Sequence, residues 1–268
     1  MGFFYCLIPP EIGGIFALYY LLFRLYKYFC YMENKIKTLG ISLDGVIRDY
    51  FSKFDDVYRK AFIKNDSLVQ ADEGFNYVVP ESINAETDLD SLEKIIKERI
   101  NLPVNTYDLR NHYHFDSIDD FKNFFQEYAF EIFATAGTFP RTPDTLNNLQ
   151  SFGKINGLFN TVLLVKCDDK AVISTYHFLA KIGCKIKNVI FIDSDIDKWK
   201  YCDVLIDDSP ESFESKPEGK ISIKISHVYN AYSDSDYSFE TINAVYNELF
   251  ILKIFRPDKY KEIMESKN

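Results

Sequence analysis

The stretch that most constrains the fold is Lys37-Thr38-Leu39-Gly40-Ile41-Ser42-Leu43-Asp44-Gly45-Val46-Ile47-Arg48-Asp49. An apolar run closes on a small polar residue, turns through Leu-Asp-Gly and opens a helical pattern. A buried parallel strand delivers polar side chains in this way to the carboxyl edge of an α/β sheet, where such folds keep their sites. Gly45 relieves steric limits at the sharp turn that leaves the strand.

The rest of the chain divides around this strand. Tyr50-Phe51, Phe54, Val57-Tyr58 and Ala61-Phe62 recur at helical spacing. From Lys64 to about Gln150 the pattern is more polar and lacks a strand rhythm. Leu92-Ile95-Ile96-Ile100 and Phe121-Phe124-Phe125-Tyr128-Ile132 read as amphipathic helices, with helix starts at Asp116-Ser117-Ile118-Asp119 and Thr142-Pro143-Asp144. Strand-like runs return at Thr161–Val165, Val189–Ile192, Asp203–Asp207 and Ile221–Ile225, with a helix from Asp168 to Ile182. A C-terminal helix is expected over Phe239–Phe255, stopping near Arg256-Pro257. The succession predicts an α/β fold: a parallel sheet with helices on both faces and a helical insertion after the first strand. The expected division is 32–50 with 151–268 as the core, 51–150 as the insertion and 1–31 as an apolar extension.

In that extension, Ile12 to Phe23 is apolar before Arg24 and Lys27 interrupt it, shorter than the ~20 residues of a usual membrane span. It is a membrane anchor, an extra helix packed on the domain, or sequence upstream of a true start at Met32. The last is preferred, because Met32-Glu33-Asn34-Lys35 leads into the first strand as a natural N-terminus would. A membrane partner is expected only if residues 12–31 are a true anchor.

A net charge of −9 offers no basic surplus for phosphate backbones, so nucleic acid is not an expected partner. Five scattered cysteines without a Cys-x-x-Cys pair argue against a disulfide framework or a zinc knuckle and point to a reducing cytoplasm. His112 and His114 lack an acidic or Cys partner at ligand spacing, so a metal role is not assigned to them.

Two strand ends present acids: Asp44 after the first, Asp207 and Asp208 after the fourth. Three carboxylates brought together there repel one another unless a hard cation such as Mg²⁺ sits between them. The plainer alternative is that Asp207-Asp208-Ser209-Pro210 is a polar turn.

Ser42-Leu43-Asp44-Gly45-Val46 resembles the first motif of the haloacid dehalogenase (HAD) superfamily, Asp-x-Asp-Gly-Thr/Val. Asp203-Val204-Leu205-Ile206-Asp207-Asp208-Ser209-Pro210 is similar to the fourth motif of its 5'(3')-deoxyribonucleotidase branch. The resemblance implies a Rossmann-like core with a helical cap, a Mg²⁺ cofactor and a small phosphorylated substrate. It also implies roles. Asp44 would be the general acid/base and a metal ligand, Asp207 and Asp208 would complete the metal shell, and Lys198 (or Lys200) would neutralise phosphate. Ser42 stands where the family has its nucleophilic Asp. A Ser hydroxyl is shorter, uncharged and needs a base to become nucleophilic. The phosphate-binding Ser or Thr of the second motif is also missing, since that strand ends Val165-Lys166-Cys167. The expectation is a HAD-like protein with lost or strongly weakened phosphatase activity and a weakened Mg²⁺ site. The alternatives are an active Mg²⁺-dependent phosphohydrolase on a nucleotide or other small phosphomonoester, and a non-catalytic structural or interaction protein. Phe121, Phe124, Phe125, Tyr128 and Phe130 are expected to be mostly core, and Arg48 either reaches a phosphate or caps its turn.

Overall fold

Alternation along the first strand already dictates a sheet covered on both sides. In the computed structural model, which describes residues 36–62, 104–113, 115, 117–167 and 169–266, β1 (Lys37–Ser42) sends Leu39 and Ile41 to one face and Gly40 and Ser42 to the other. Leu39 and Ile41 join Leu163, Val165, Val204 and Ile206 in the main apolar cluster. Val162, Leu164 and Leu205 pack on the opposite face with Trp199 and Cys202. Gly40 is needed there: a Cβ would come 2.8 Å from both Cβ and Sγ of Cys202 and 2.9 Å from Leu164.

The further strands of this sheet are β4 (Phe159–Lys166), β5 (Val189–Ile192), β6 (Val204–Asp207), β7 (Ile221–Ile225) and β8 (Tyr237–Phe239). They form one six-stranded sheet of order β5-β4-β1-β6-β7-β8, in which every neighbouring pair is parallel. The parallel α/β sheet predicted from the sequence is thus present. Leaving β1, the chain builds outward through β4 and β5 on one side and then through β6, β7 and β8 on the other. The strand order reverses at β1. The carboxyl ends of β4, β1 and β6 therefore bound the crevice where open α/β sheets take ligands. Two short strands, β2 (Arg48–Asp49) and β3 (Gly137–Thr138), pair antiparallel and close the insertion at its two ends.

Helices cover the sheet. On the face of Leu39, α3 (Thr142–Ile155) contributes Leu146 and Leu149, α4 (Asp169–Lys181) contributes Phe178 and Leu179, and α7 (Glu248–Phe255) contributes Ile251, Ile254 and Phe255. On the other face the cover is short: a 3-10 turn at Asp195–Lys200 and α5 (Pro210–Glu214), tied by a Trp199 Nε1 bond of 2.7 Å to the Ser212 carbonyl. The insertion has its own aromatic core. α1 (Tyr50–Phe62) and α2 (Ile118–Glu127) meet a 3-10 turn at Leu109–Asn111 and a π-helical turn at Phe130–Ala134, burying Phe54, Tyr58, Tyr113, Phe124 and Phe133 together. Full burial of such side chains is worth about 1.5–3 kcal/mol each. Ser117 caps α2 by accepting from the Asp120 amide, as its place before the apolar run suggested.

Two expectations from the sequence fail at the C-terminal end. The last strand is β8, not Ile221–Ile225. The expected helix over Phe239–Phe255 is broken into α6 (Ile242–Val245) and α7, and Pro257 opens α8 (Pro257–Glu265) instead of ending the fold. The capping side chains explain the breaks: Thr241 accepts from the Ala244 amide and Asn247 from the Phe250 amide, each starting a new helix. The helix expected at Leu92–Ile100 and the extension 1–31 lie outside the described residues. No described helix is long and apolar enough to cross a membrane.

Candidate active site

Parallel strands that end side by side bring their last residues within reach of one another. Ser42 is the last residue of β1, Lys166 of β4 and Asp207 of β6. The 3-10 turn following β5 supplies Asp195 and Lys198, three residues apart and on one face. The Lys198 side chain is buried. Its ammonium donates to Ser42 Oγ at 3.1 Å and to both Asp207 oxygens, Oδ1 at 2.9 Å and Oδ2 at 2.8 Å. It also lies 2.7 Å from Asp195 Oδ1, an ion pair whose angle is not that of a hydrogen bond. Lys166 Nζ pairs with the other Asp195 oxygen at 2.6 Å, and the Tyr107 hydroxyl donates to that same oxygen at 3.2 Å.

The result is a line of alternating charge, Lys166–Asp195–Lys198–Asp207, across three strand ends. Burial alone would push the Lys198 pKa down, but the carboxylates of Asp207 and Asp195 outweigh it and hold the pKa above the ordinary lysine value. Burial would raise Asp195, and Lys198 with Lys166 more than reverse this, so its pKa is lowered. Both partners are charged. Ser212, in the first turn of α5, completes Asp207 with a 2.5 Å bond to Oδ2, and the Asp208 amide bonds Oδ1 at 2.9 Å.

Asp208 sits apart from this line. Its Oδ2 accepts from the Tyr229 hydroxyl at 2.5 Å, and its backbone carbonyl accepts from Asn230 Nδ2 at 2.8 Å. Burial first, and the neighbouring Asp207 charge second, raise its pKa well above the carboxylate range. Gly45 makes room for it: with φ +73°, a Cβ would lie 1.8 Å from Asp208 Oδ2. The Gly45 carbonyl meets His227 Nε2 at 2.7 Å. A carbonyl can only accept, so Nε2 carries the proton.

Asp44 lines the cavity above Ser42 but is paired outside the line. Arg48, one helical turn on, grips its carboxylate with two bonds, Nε to Oδ1 at 2.6 Å and Nη2 to Oδ2 at 2.9 Å. The guanidinium is fully buried. It donates further to the Phe133 carbonyl at 2.9 Å and to Thr175 Oγ1 at 3.2 Å, with the Phe133 ring centroid 4.9 Å away. Arg48 therefore neither reaches for a phosphate nor caps a turn. It bolts the first loop to the insertion and to α4.

Of the residues singled out in the sequence, the structure brings Ser42, Lys198 and Asp207 into direct contact and sets Asp44 and Asp208 on either side of them. Lys200 pairs with Asp197 at 2.6 Å on the surface, so Lys198 is the lysine of this site. His114 lies outside the described residues. The sequence reading missed Asp195, Tyr107, Tyr229 and the pairing of Arg48. Asp195 carried one usable signal, its i,i+3 spacing to Lys198. The tyrosines arrive from distant loops and carried none.

The fit to Mg²⁺ can be judged from these partners. A hard divalent cation needs several free, negatively charged oxygens. Asp207 is committed to Lys198 and Ser212, Asp44 to Arg48, and Asp208 is buried against Tyr229. Among the described residues, no three His, Cys, Asp or Glu side chains are grouped to hold a metal. The donor set does not fit a resident Mg²⁺.

A cavity of about 480 Å³ opens above Ser42 and Lys198. Its floor is polar, made by Ser42, Asp195, Lys198 and Lys166. Its walls are the insertion rings Tyr50, Phe51, Phe125 and Phe133. Tyr50 and Phe133 are parallel to within 3°, with centroids 5.9 Å apart.

Two outcomes follow from this wiring. Lys198→Met leaves buried Asp207 without its ion-pair partner, so it should lower the unfolding free energy by about 3–5 kcal/mol in urea melts. Burial lowers the His227 pKa, so His227 contributes stability above its unfolded pKa of about 6.5 that is lost as pH falls below that value. The melting temperature should drop as the pH falls below about 6.5, and His227→Gln should flatten the drop.

No protein-family model matches the chain, and no curated protein matches it. Solved structures do. YfnB from Bacillus subtilis, solved as a HAD-hydrolase bound to magnesium, is 13% identical over 79% of this chain and 97% of its own, with a TM-score of 0.46. CbbY from Rhodobacter sphaeroides, in complex with phosphate, is 10% identical over 81% and 99%, with a TM-score of 0.47. A phosphonoacetaldehyde hydrolase-like protein from Oleispira antarctica is 11% identical over 82% and 93%, also at 0.47.

Proposed function

We propose that this chain is a HAD-like protein that has lost phosphoryl-transfer chemistry and keeps the site as a small-molecule pocket. The observation that carries the reading is the environment of Ser42. Its hydroxyl accepts a hydrogen bond from the Lys198 ammonium. A protonated amine has no lone pair with which to take the hydroxyl proton, so Ser42 lacks the base a serine nucleophile requires. The acid of the first motif is equally tied. Both Asp44 oxygens are held by Arg48, which removes them from acid–base work at the floor. Kinship with the 5'(3')-deoxyribonucleotidase branch is supported by the sequences at the ends of β1 and β6, and by Lys198 facing both. The segment between β2 and β3 is read as the cap, and the helix α3 that follows it belongs to the core, where Leu146 and Leu149 pack.

The test is phosphate release from p-nitrophenyl phosphate and deoxynucleoside monophosphates with Mg²⁺ present. Release should not exceed the blank. Turnover that disappears in Asp44→Asn would contradict the reading. Ser42→Asp places a carboxylate beside Lys198. A gain of activity in that variant would trace the loss to the nucleophile, and continued inactivity would trace it also to the locked Asp44.

A further inference from the structure

The cavity is commonly polar at its floor, but none of its positive charges stands alone. Four basic side chains line it, and each is ion-paired. Lys198 faces Asp195 and Asp207, and Lys166 faces Asp195 at 2.6 Å. At the rim, Arg110 is 2.5 Å from Asp108 and Lys122 is 3.8 Å from Asp119. Four further acids, Asp44, Asp193, Asp208 and Glu211, also line the cavity. The chain as a whole carries −9. An incoming dianion would shed its hydration without meeting an uncommitted cation, and would cross an acidic rim to do so.

The walls favour something else. Tyr50, Phe125 and Phe133 form a mutually stacked group, Phe125 and Phe133 lying 5.9 Å apart at 23°. The cavity volume of about 480 Å³ falls within the ~300–1,000 Å³ that takes drug-sized molecules. At the floor, Ser42 accepts from Lys198 through its oxygen, which leaves its own O–H to donate. We propose that the pocket takes an uncharged planar aromatic molecule with a hydrogen-bonding edge, and disfavours the phosphorylated form of the same molecule. The edge meets Ser42 and the ion-paired floor, and the ring packs on the aromatic wall. The proposal rests on the reading of the pocket as a non-catalytic binding site.

The test compares 2-naphthol, uncharged at neutral pH, with 2-naphthyl phosphate, using the full chain in buffer containing EDTA. Calorimetry should show 2-naphthol binding at least about tenfold more tightly, because the paired floor cannot repay desolvation of the dianion. Asp195→Asn leaves Lys166 and Lys198 with one carboxylate fewer, and should narrow or reverse the preference by about tenfold. If that variant does not fold, Phe125→Ala decides. It should weaken 2-naphthol by about tenfold, because the naphthalene ring packs on this wall. Tighter binding of the phosphate by the unaltered protein would overturn the proposal. So would the same preference in a folded Asp195→Asn protein, or unweakened 2-naphthol binding in Phe125→Ala. Fluorescence of released 2-naphthol reports hydrolysis separately. Turnover would refute the non-catalytic reading without deciding the binding preference.

Discussion

The floor of the molecule depends on one buried ammonium. Lys198 has no water to solvate it, and taking a charge out of water costs several kcal/mol per ion even after relaxation. It is tolerable only because Ser42, Asp195 and Asp207 converge on it from the end of β1, the turn after β5 and the end of β6. That requirement fixes how those segments meet. Asp207 comes within reach because β6 lies beside β1. Asp195 must face inward, so the chain enters its 3-10 turn directly after β5. Arg48 poses the same problem in the first loop and receives the same answer, with Asp44, the Phe133 carbonyl and Thr175 around it. One buried cation ties the strand ends together, and the other ties the first loop to the insertion.

These solutions have a chemical consequence. A phosphate or a divalent metal is bound by groups that still lack a partner, and here the relevant groups have found partners within the protein. Asp44 and Asp207 answer arginine and lysine, and Lys166 and Lys198 answer aspartates. The Ser42 hydroxyl accepts from a protonated amine. The same arrangement that keeps the carboxyl edge stable commits these side chains to one another. What persists is shape: a polar floor beneath aromatic walls.

Much of this was legible beforehand, for identifiable reasons. Strands buried on both faces read as apolar runs, and β1, β4, β5, β6 and β7 were all visible that way. Ser42 and Asp207 lie at such strand ends, so topology brought them together, while Lys198 was singled out by the family resemblance. β8 was hidden because a three-residue strand gives no periodicity to recognise. The C-terminal helix was drawn too long because its apolar spacing continues across Thr241 and Asn247, whose side chains act as caps only once the backbone turns there. Asp195 looked like an ordinary turn acid. Its importance comes from Lys166, 29 residues earlier, which no local pattern reveals. Arg48 was read as a phosphate contact or a cap because its partners Phe133 and Thr175 lie 85 and 127 residues away.

The central claim is that the lysine–aspartate line satisfies the carboxyl edge without a divalent metal. Electron paramagnetic resonance of Mn²⁺, a spectroscopic stand-in for Mg²⁺, tests it directly by reporting free ion as protein is added. The account predicts that the free-ion signal stays unchanged beyond weak surface binding. A stoichiometric loss of signal that Asp208→Asn abolishes would contradict it.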